Sequence, residues 1–165
     1  METVSFTKME NGTKEEYAFL KQLYIQCIDG IPEMLLGLLK RMQGDRLGYQ
    51  IDRYQHSLQT ATRAERDGSD EETIVCALLH DIGDVLAPDN HSQVAAAILQ
   101  PYISERNYWV LKHHGLFQGY YYFHHINKTA TSGIISRITN FIKRVLISVP
   151  NGINVHLIRI TTPCL

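Results

Sequence analysis

Apolar residues recur at helical spacing along most of the first 126 positions. In "KEEYAFLKQLYIQCID" they fall at Tyr17, Leu20, Leu23, Tyr24 and Cys27, which is the stripe of an amphipathic helix. Gly30 stops that helix, and Pro32 suits the first turn of the next, "PEMLLGLLKRM". The two glycines of "QGDRLGYQID" mark a loop. "RYQHSLQTATRAERDG" is a third helix closing at Gly68. Ser69 or Asp70 can cap a fourth, whose positive end gains from Asp70, Glu71 and Glu72. "GDVLAPDN" is a loop with a proline break, and "HSQVAAAILQ" is a short helix. Ser104 can cap "ERNYWVLKHH", which is expected to end at Gly115, with "LFQGYYYFHHI" starting one more helix. Clear strand alternation is absent before residue 126, so the predicted fold class is all-α, a helical bundle. The first dozen residues read as a flexible tail.

After Ile126 the pattern changes. All 17 acids and 11 of the 16 bases precede residue 127, a net of −6, whereas residues 127–165 carry five bases and no acid, a net of +5. "GIISRITNFIKRVLISV" has helical spacing, and "INVHLIRI" alternates like a strand. The segment reads as a basic final helix or as a tail foreign to this fold, the product of truncation or a frameshift. The organisation expected is therefore a tail over 1–12, a helical domain over 13–126 and an atypical basic tail over 127–165.

Composition narrows the function classes. The chain has 165 residues, 44% of them apolar, which suits one domain with a sizeable core. A net charge of −1 gives no case for nucleic acid or a membrane surface as partner. Cys27, Cys76 and Cys164 are too few and too scattered for a disulfide framework or a thiolate zinc site. The N-terminus lacks the apolar core of a signal peptide, and no run is long enough to span a bilayer, so a cytoplasmic setting is expected.

Histidine stands out, with seven of the eight between His56 and His125. The stretch "CALLHDIGDV" sets His80 and Asp81 against a buried-looking run. Adjacent helical residues point about 100° apart, so the pair can share one centre only near a helix end, which Gly83 supplies. Alone, such a pair is usually surface polarity or a cap. His56 sits mid-helix 24 residues upstream, His91 opens a helix, and His114 closes another. Four helices thus each deliver a ligand suited to a borderline metal, and the carboxylate can bridge two ions. His113 faces another side of its helix. His124 and His125 read as half-buried packing, Tyr120 to Tyr122 as core and rim, and His156 lies in the basic tail. Asp84 and Lys112 are candidate acid, base or phosphate contacts, with surface solvation the blander reading of each.

These residues resemble a known family. His56, His80 and Asp81 resemble the H…HD signature of the HD-domain superfamily of all-α metalloenzymes. "YQHSLQTA", "ALLHDIGD", "NHSQVAAAIL" and "KHHGLFQGYYYFHH" resemble the branch associated with organophosphonate breakdown, which contains mixed-valent di-iron oxygenases. The resemblance covers about residues 30–126. It implies two iron ions, one held by His56 and His80, the other by His91 and His114, with Asp81 bridging; His80 and Asp81 are then the catalytic pair.

The resemblance also implies a reaction, the O2-dependent oxidation of a small hydroxylated phosphonate. Three positions depart from the family. Its distal Asp ligand has no counterpart, because Glu105 is the one acid after Asp89. A Tyr and a Glu preceding the first histidine are here Arg46 and Tyr49, and a substrate Lys after the last is Gln118. Arg46 is a candidate phosphonate partner through its forked guanidinium. Tyr49, Gln59 and Gln118 complete the candidate substrate contacts. Two alternatives stand beside the oxygenase. One is a phosphohydrolase using Mn, Mg or another divalent ion on a phosphate substrate. The other is a catalytically impaired metal-binding remnant.

Overall fold

The computed structural model describes residues 3–126 of the chain. The described residues fall into two compact units that part between Leu38 and Leu39. Among the described residues there are six α-helices and no strand, as an all-α chain requires.

In the first unit, a 3-10 turn at Met9–Asn11 precedes α1, Lys14–Asp29. Thr13 opens α1 with a reciprocal capping box: its hydroxyl accepts from Glu16 N–H, and the Glu16 carboxylate accepts from Thr13 N–H. The same carboxylate accepts from the amide and hydroxyl of Ser5, so these N–H and O–H donors hold its pKa down to about 2. Phe6 stacks on Tyr17 with ring centroids 5.4 Å apart. The segment expected as a tail is therefore in contact with the first turn of α1. α2, Ile31–Arg41, starts directly after Gly30.

The second unit holds α3, Arg53–Arg66; α4, Glu71–Leu79; α5, His91–Leu99; and α6, Glu105–Tyr122. Asp52 caps α3 through Gln55 N–H and also accepts from Gly44 N–H, which ties the preceding loop to the helix start. Asp70, rather than Ser69, caps α4. Gly68 sits between α3 and α4 at φ +73°, the left-handed region that an L side chain resists. α3 packs on α4, α5 packs on α6, and α4 meets α6. Small residues make the first approach close: Ala64 of α3 and Ala77 of α4 are buried together, with Ile74 and Val110 against them.

One expected boundary is wrong. Gly115 does not end a helix; α6 runs through it to Tyr122, so the two helices expected there are one. The reason is contact rather than turn chemistry. A Cβ on Gly115 would lie 2.9 Å from the Ser92 hydroxyl of α5, so this glycine lets α6 lie close against α5. His124 and His125 are also corrected: they are exposed in a terminal 3-10 turn, not half-buried. The expectations for residues 127–165, including the strand-like "INVHLIRI" and His156, lie outside the described residues, as do the side chains of Tyr120 to Tyr122.

Candidate metal centre

The middle of the second unit is polar. His80 and His114 are each 1% exposed, beside buried Asp81, Ser92, Thr60 and Ser57. Burying so many polar groups is costly unless something satisfies them.

α4 ends at Leu79, and His80 is the last residue with helical backbone. At Asp81 the chain turns to φ −100°, ψ 4° and enters a 3-10 turn, Ile82–Val85. That bend lets two neighbouring side chains face one point. Asp81 then divides its carboxylate. Oδ2 lies 3.1 Å from His80 Nε2 and 3.8 Å from His56 Nε2. Oδ1 lies 3.2 Å from His114 Nε2 and 3.6 Å from His91 Nε2. Within each pair the two Nε2 atoms are 3.2 Å apart. Two three-residue groups result, His56–His80–Asp81 and Asp81–His91–His114, each compact enough to surround one cation.

The far sides of the rings decide what the near sides can do. His80 Nδ1 faces the Ala77 carbonyl at 2.8 Å, His91 Nδ1 the Pro88 carbonyl at 3.0 Å, and His114 Nδ1 the Leu111 carbonyl at 2.7 Å. A carbonyl only accepts, so each Nδ1 carries its hydrogen and donates it. In the neutral rings each Nε2 is then a bare lone pair. Lone pairs of His91 and His114 at 3.2 Å repel unless a positive species lies between them. A divalent cation answers that need, and two imidazole nitrogens beside each carboxylate oxygen suit a borderline one.

Charge balance points the same way. Burial and the neighbouring His80 push the His56 pKa down to about 4, so this ring stays neutral. Burial also lowers His114, by more than Asp81 raises it. Burial opposes charge on His80 too, but the Asp81 carboxylate outweighs it and raises that pKa. Burial likewise opposes charge on Asp81, yet His80 and His114 hold its carboxyl well below the usual range. A metal binds His80 Nε2 only when that nitrogen carries no proton.

A second layer supports the His91 side. Asp84 Oδ1 lies 3.2 Å from His91 Nδ1, and Asp84 Oδ2 pairs with Arg53 Nη1 at 2.9 Å. Asp84 is therefore not a solvated surface acid; it joins α3 to the first residue of α5. Sequence reasoning missed Arg53, whose position three residues before His56 places it on the same helical face. It also missed Ser92, whose hydroxyl is 3.2 Å from His91 Nε2 and 3.4 Å from His114 Nε2.

The other candidates lie elsewhere. His113 turns away and donates to the Trp109 carbonyl, with its ring stacked on the indole. Lys112 is exposed beside Tyr108. Arg46 and Tyr49 occupy an exposed loop before α3, and Gln59 is exposed on α3. Gln118 is half-buried on α6, one turn beyond His114.

A family model for the HD domain matches residues 53–144, more than half of the chain. The chain belongs to the HD-domain family. The match begins at Arg53, takes in all five converging ligand candidates, and continues past residue 126 into the basic segment. A curated relative, the [1-hydroxy-2-(trimethylamino)ethyl]phosphonate dioxygenase (glycine-betaine-forming) of Leisingera caerulea, is 49% identical over 55 residues. That stretch is 32% of this HD-domain chain and 28% of the relative, so the similarity spans less than a third of the relative's length. No helix among the described residues is long and apolar enough to cross a membrane.

Proposed function

We propose that this HD-domain chain binds two iron ions and oxidises a small organophosphonate with O2. The observation that carries the reading is the division of one carboxylate between two histidine pairs. Asp81 Oδ2 serves His56 and His80, and Oδ1 serves His91 and His114. Similarity to a phosphonate dioxygenase supports the substrate class and the use of O2.

Iron held by His56, His80, Asp81, His91 and His114 would supply redox chemistry with O2, which sets of two histidines and one carboxylate support. The chain's own residues supply position and charge. His80, His91 and His114 are held by backbone carbonyls, so their Nε2 atoms are aimed before any ligand arrives. Burial keeps His56 and His114 unprotonated near neutral pH. Gln59 is three residues from His56, and Gln118 is four from His114, so each shares a helical face with a ligand, which supports a role in hydrogen-bonding substrate. Arg46 and Tyr49 lie on the exposed loop before α3, and the forked guanidinium of Arg46 suits phosphonate oxygens by its chemistry.

The rival reading is phosphohydrolysis. Its support is the donor set itself, all imidazole and carboxylate, which also accepts Mn or Mg and then acidifies a bound water. Metal analysis of anaerobically purified protein separates the two. Iron near two per chain, a mixed-valent paramagnetic signal and O2 uptake with a hydroxylated phosphonate support the oxygenase. Turnover of phosphate esters with Mn or Mg, indifferent to O2, replaces it with the hydrolase. Metal bound without turnover of either substrate class leaves a metal-binding remnant.

A further inference from the structure

We infer that the Ser92 hydroxyl is a fourth protein donor to the metal held by His91 and His114. The inference rests on the two-metal reading of the site. It comes from the distances among four atoms: His91 Nε2, His114 Nε2, Asp81 Oδ1 and Ser92 Oγ. Five of the six separations are fixed. His91 to His114 is 3.2 Å, Ser92 to His91 is 3.2 Å, and Ser92 to His114 is 3.4 Å. Asp81 Oδ1 is 3.2 Å from His114 and 3.6 Å from His91. Donors bound at about 2.1 Å around one ion are separated by about 3–3.5 Å, from cis octahedral to tetrahedral. The hydroxyl oxygen therefore already stands where a ligand of that shell stands.

Hydrogen bonding alone does not account for this placement. A serine hydroxyl has one hydrogen and satisfies one of the two Nε2 lone pairs, not both. Once those lone pairs point at a cation, neither accepts from it. The buried oxygen then has its own lone pairs to offer, and the cation is their nearest partner. The neighbourhood is shaped around it as well. Gly115 has no side chain where a Cβ would lie 2.9 Å from Ser92 Oγ. The chain's other His-Ser step behaves differently: Ser57 Oγ, next to His56, is buried with no hydrogen-bond partner. Ser92 is thus specific to one metal position. The His91 side has four candidate side-chain donors, and the His56–His80–Asp81 group has three.

Cobalt(II) titration of the full chain tests this without any turnover. Wild-type protein should take up two equivalents, and Ser92→Ala should keep one unchanged while binding the other at least about ten-fold more weakly. Ser92→Cys puts a thiolate at the same place, and a sulfur-to-cobalt charge-transfer band in the near ultraviolet should grow in with one of the two equivalents. Absence of that band in a folded Cys variant that still binds two cobalt ions would overturn the role of Ser92 while leaving the two-metal reading intact. Wild-type protein that binds no cobalt would overturn both.

Discussion

Gly83 lies directly beneath the backbone of His91: a Cβ there would sit 2.2 Å from the His91 carbonyl oxygen and 2.9 Å from its Cα. No rotamer change relieves a clash with backbone. The turn after Asp81 and the start of α5 are therefore locked together by the absence of one methyl group. Gly83→Ala should separate them and destabilise the fold by about 1–3 kcal/mol or more. Thermal unfolding and metal uptake should both fall. A variant with unchanged melting temperature and full metal content would contradict the close approach.

Asp84 joins Arg53 to His91, and its carboxylate orients that ring from behind. Asp84→Ala keeps the Pro88 carbonyl as an acceptor for His91 Nδ1 but removes the fixed charge. Support of this kind is commonly worth ten- to a hundred-fold in metal affinity. The loss should be confined to one of the two equivalents in a titration, with the His56–His80 side unchanged. Equal weakening of both equivalents would show that Asp84 acts on the fold rather than on His91.

Asp81 should be distinguishable from its neighbours by stoichiometry. His114→Ala removes a donor from one group only, so about one metal per chain should remain. Asp81→Ala removes an oxygen from both groups, and bound metal should fall to near zero at the same free concentration. Elemental analysis after equilibrium dialysis reads both numbers. Retention of two metals by Asp81→Ala would dismiss the shared carboxylate.

Acid should loosen the joint between α4 and α6. Glu72 accepts from the amide and hydroxyl of Ser104 and from the Asn107 side chain, and these bonds lower its pKa. A carboxylate lowered in the folded state contributes its stability in full above the ordinary value near 4.5, and loses it as pH falls through the lower folded value. Glu72→Gln should therefore cost about 1–2 kcal/mol at pH 6 and progressively less toward pH 3. Urea unfolding at the two pH values measures the difference. A cost that does not change with pH would assign Glu72 a packing role alone.

Much of this fold was legible because helix signals are local. The apolar spacing of α1, the cap at Ser104 and the acids opening α4 each declare themselves within a few residues. Gly115 misled for the complementary reason. A glycine that stops a helix and one that admits a neighbouring helix have the same letter, and the difference lies in Ser92, 23 positions away in the chain. The five converging ligand candidates were legible as types and spacings suited to a helical bundle. Ser92 was not, since a residue adjacent to a ligand on a helix is expected to point about 100° away from it. Arg53 was hidden because its meaning depends on Asp84, which in isolation resembles any loop acid.

The position of Asp81 between two helix pairs has a mechanical consequence. His56 and His80 belong to the α3–α4 pair, and His91 and His114 to the α5–α6 pair. Cations seated on both sides of this carboxylate would clamp two hairpins at their shared hinge. Unfolding would then have to release the metals before the halves part, so the melting temperature should climb with free metal concentration and drop on chelation. On that account the heat resistance of the protein becomes a gauge of how full its centre is.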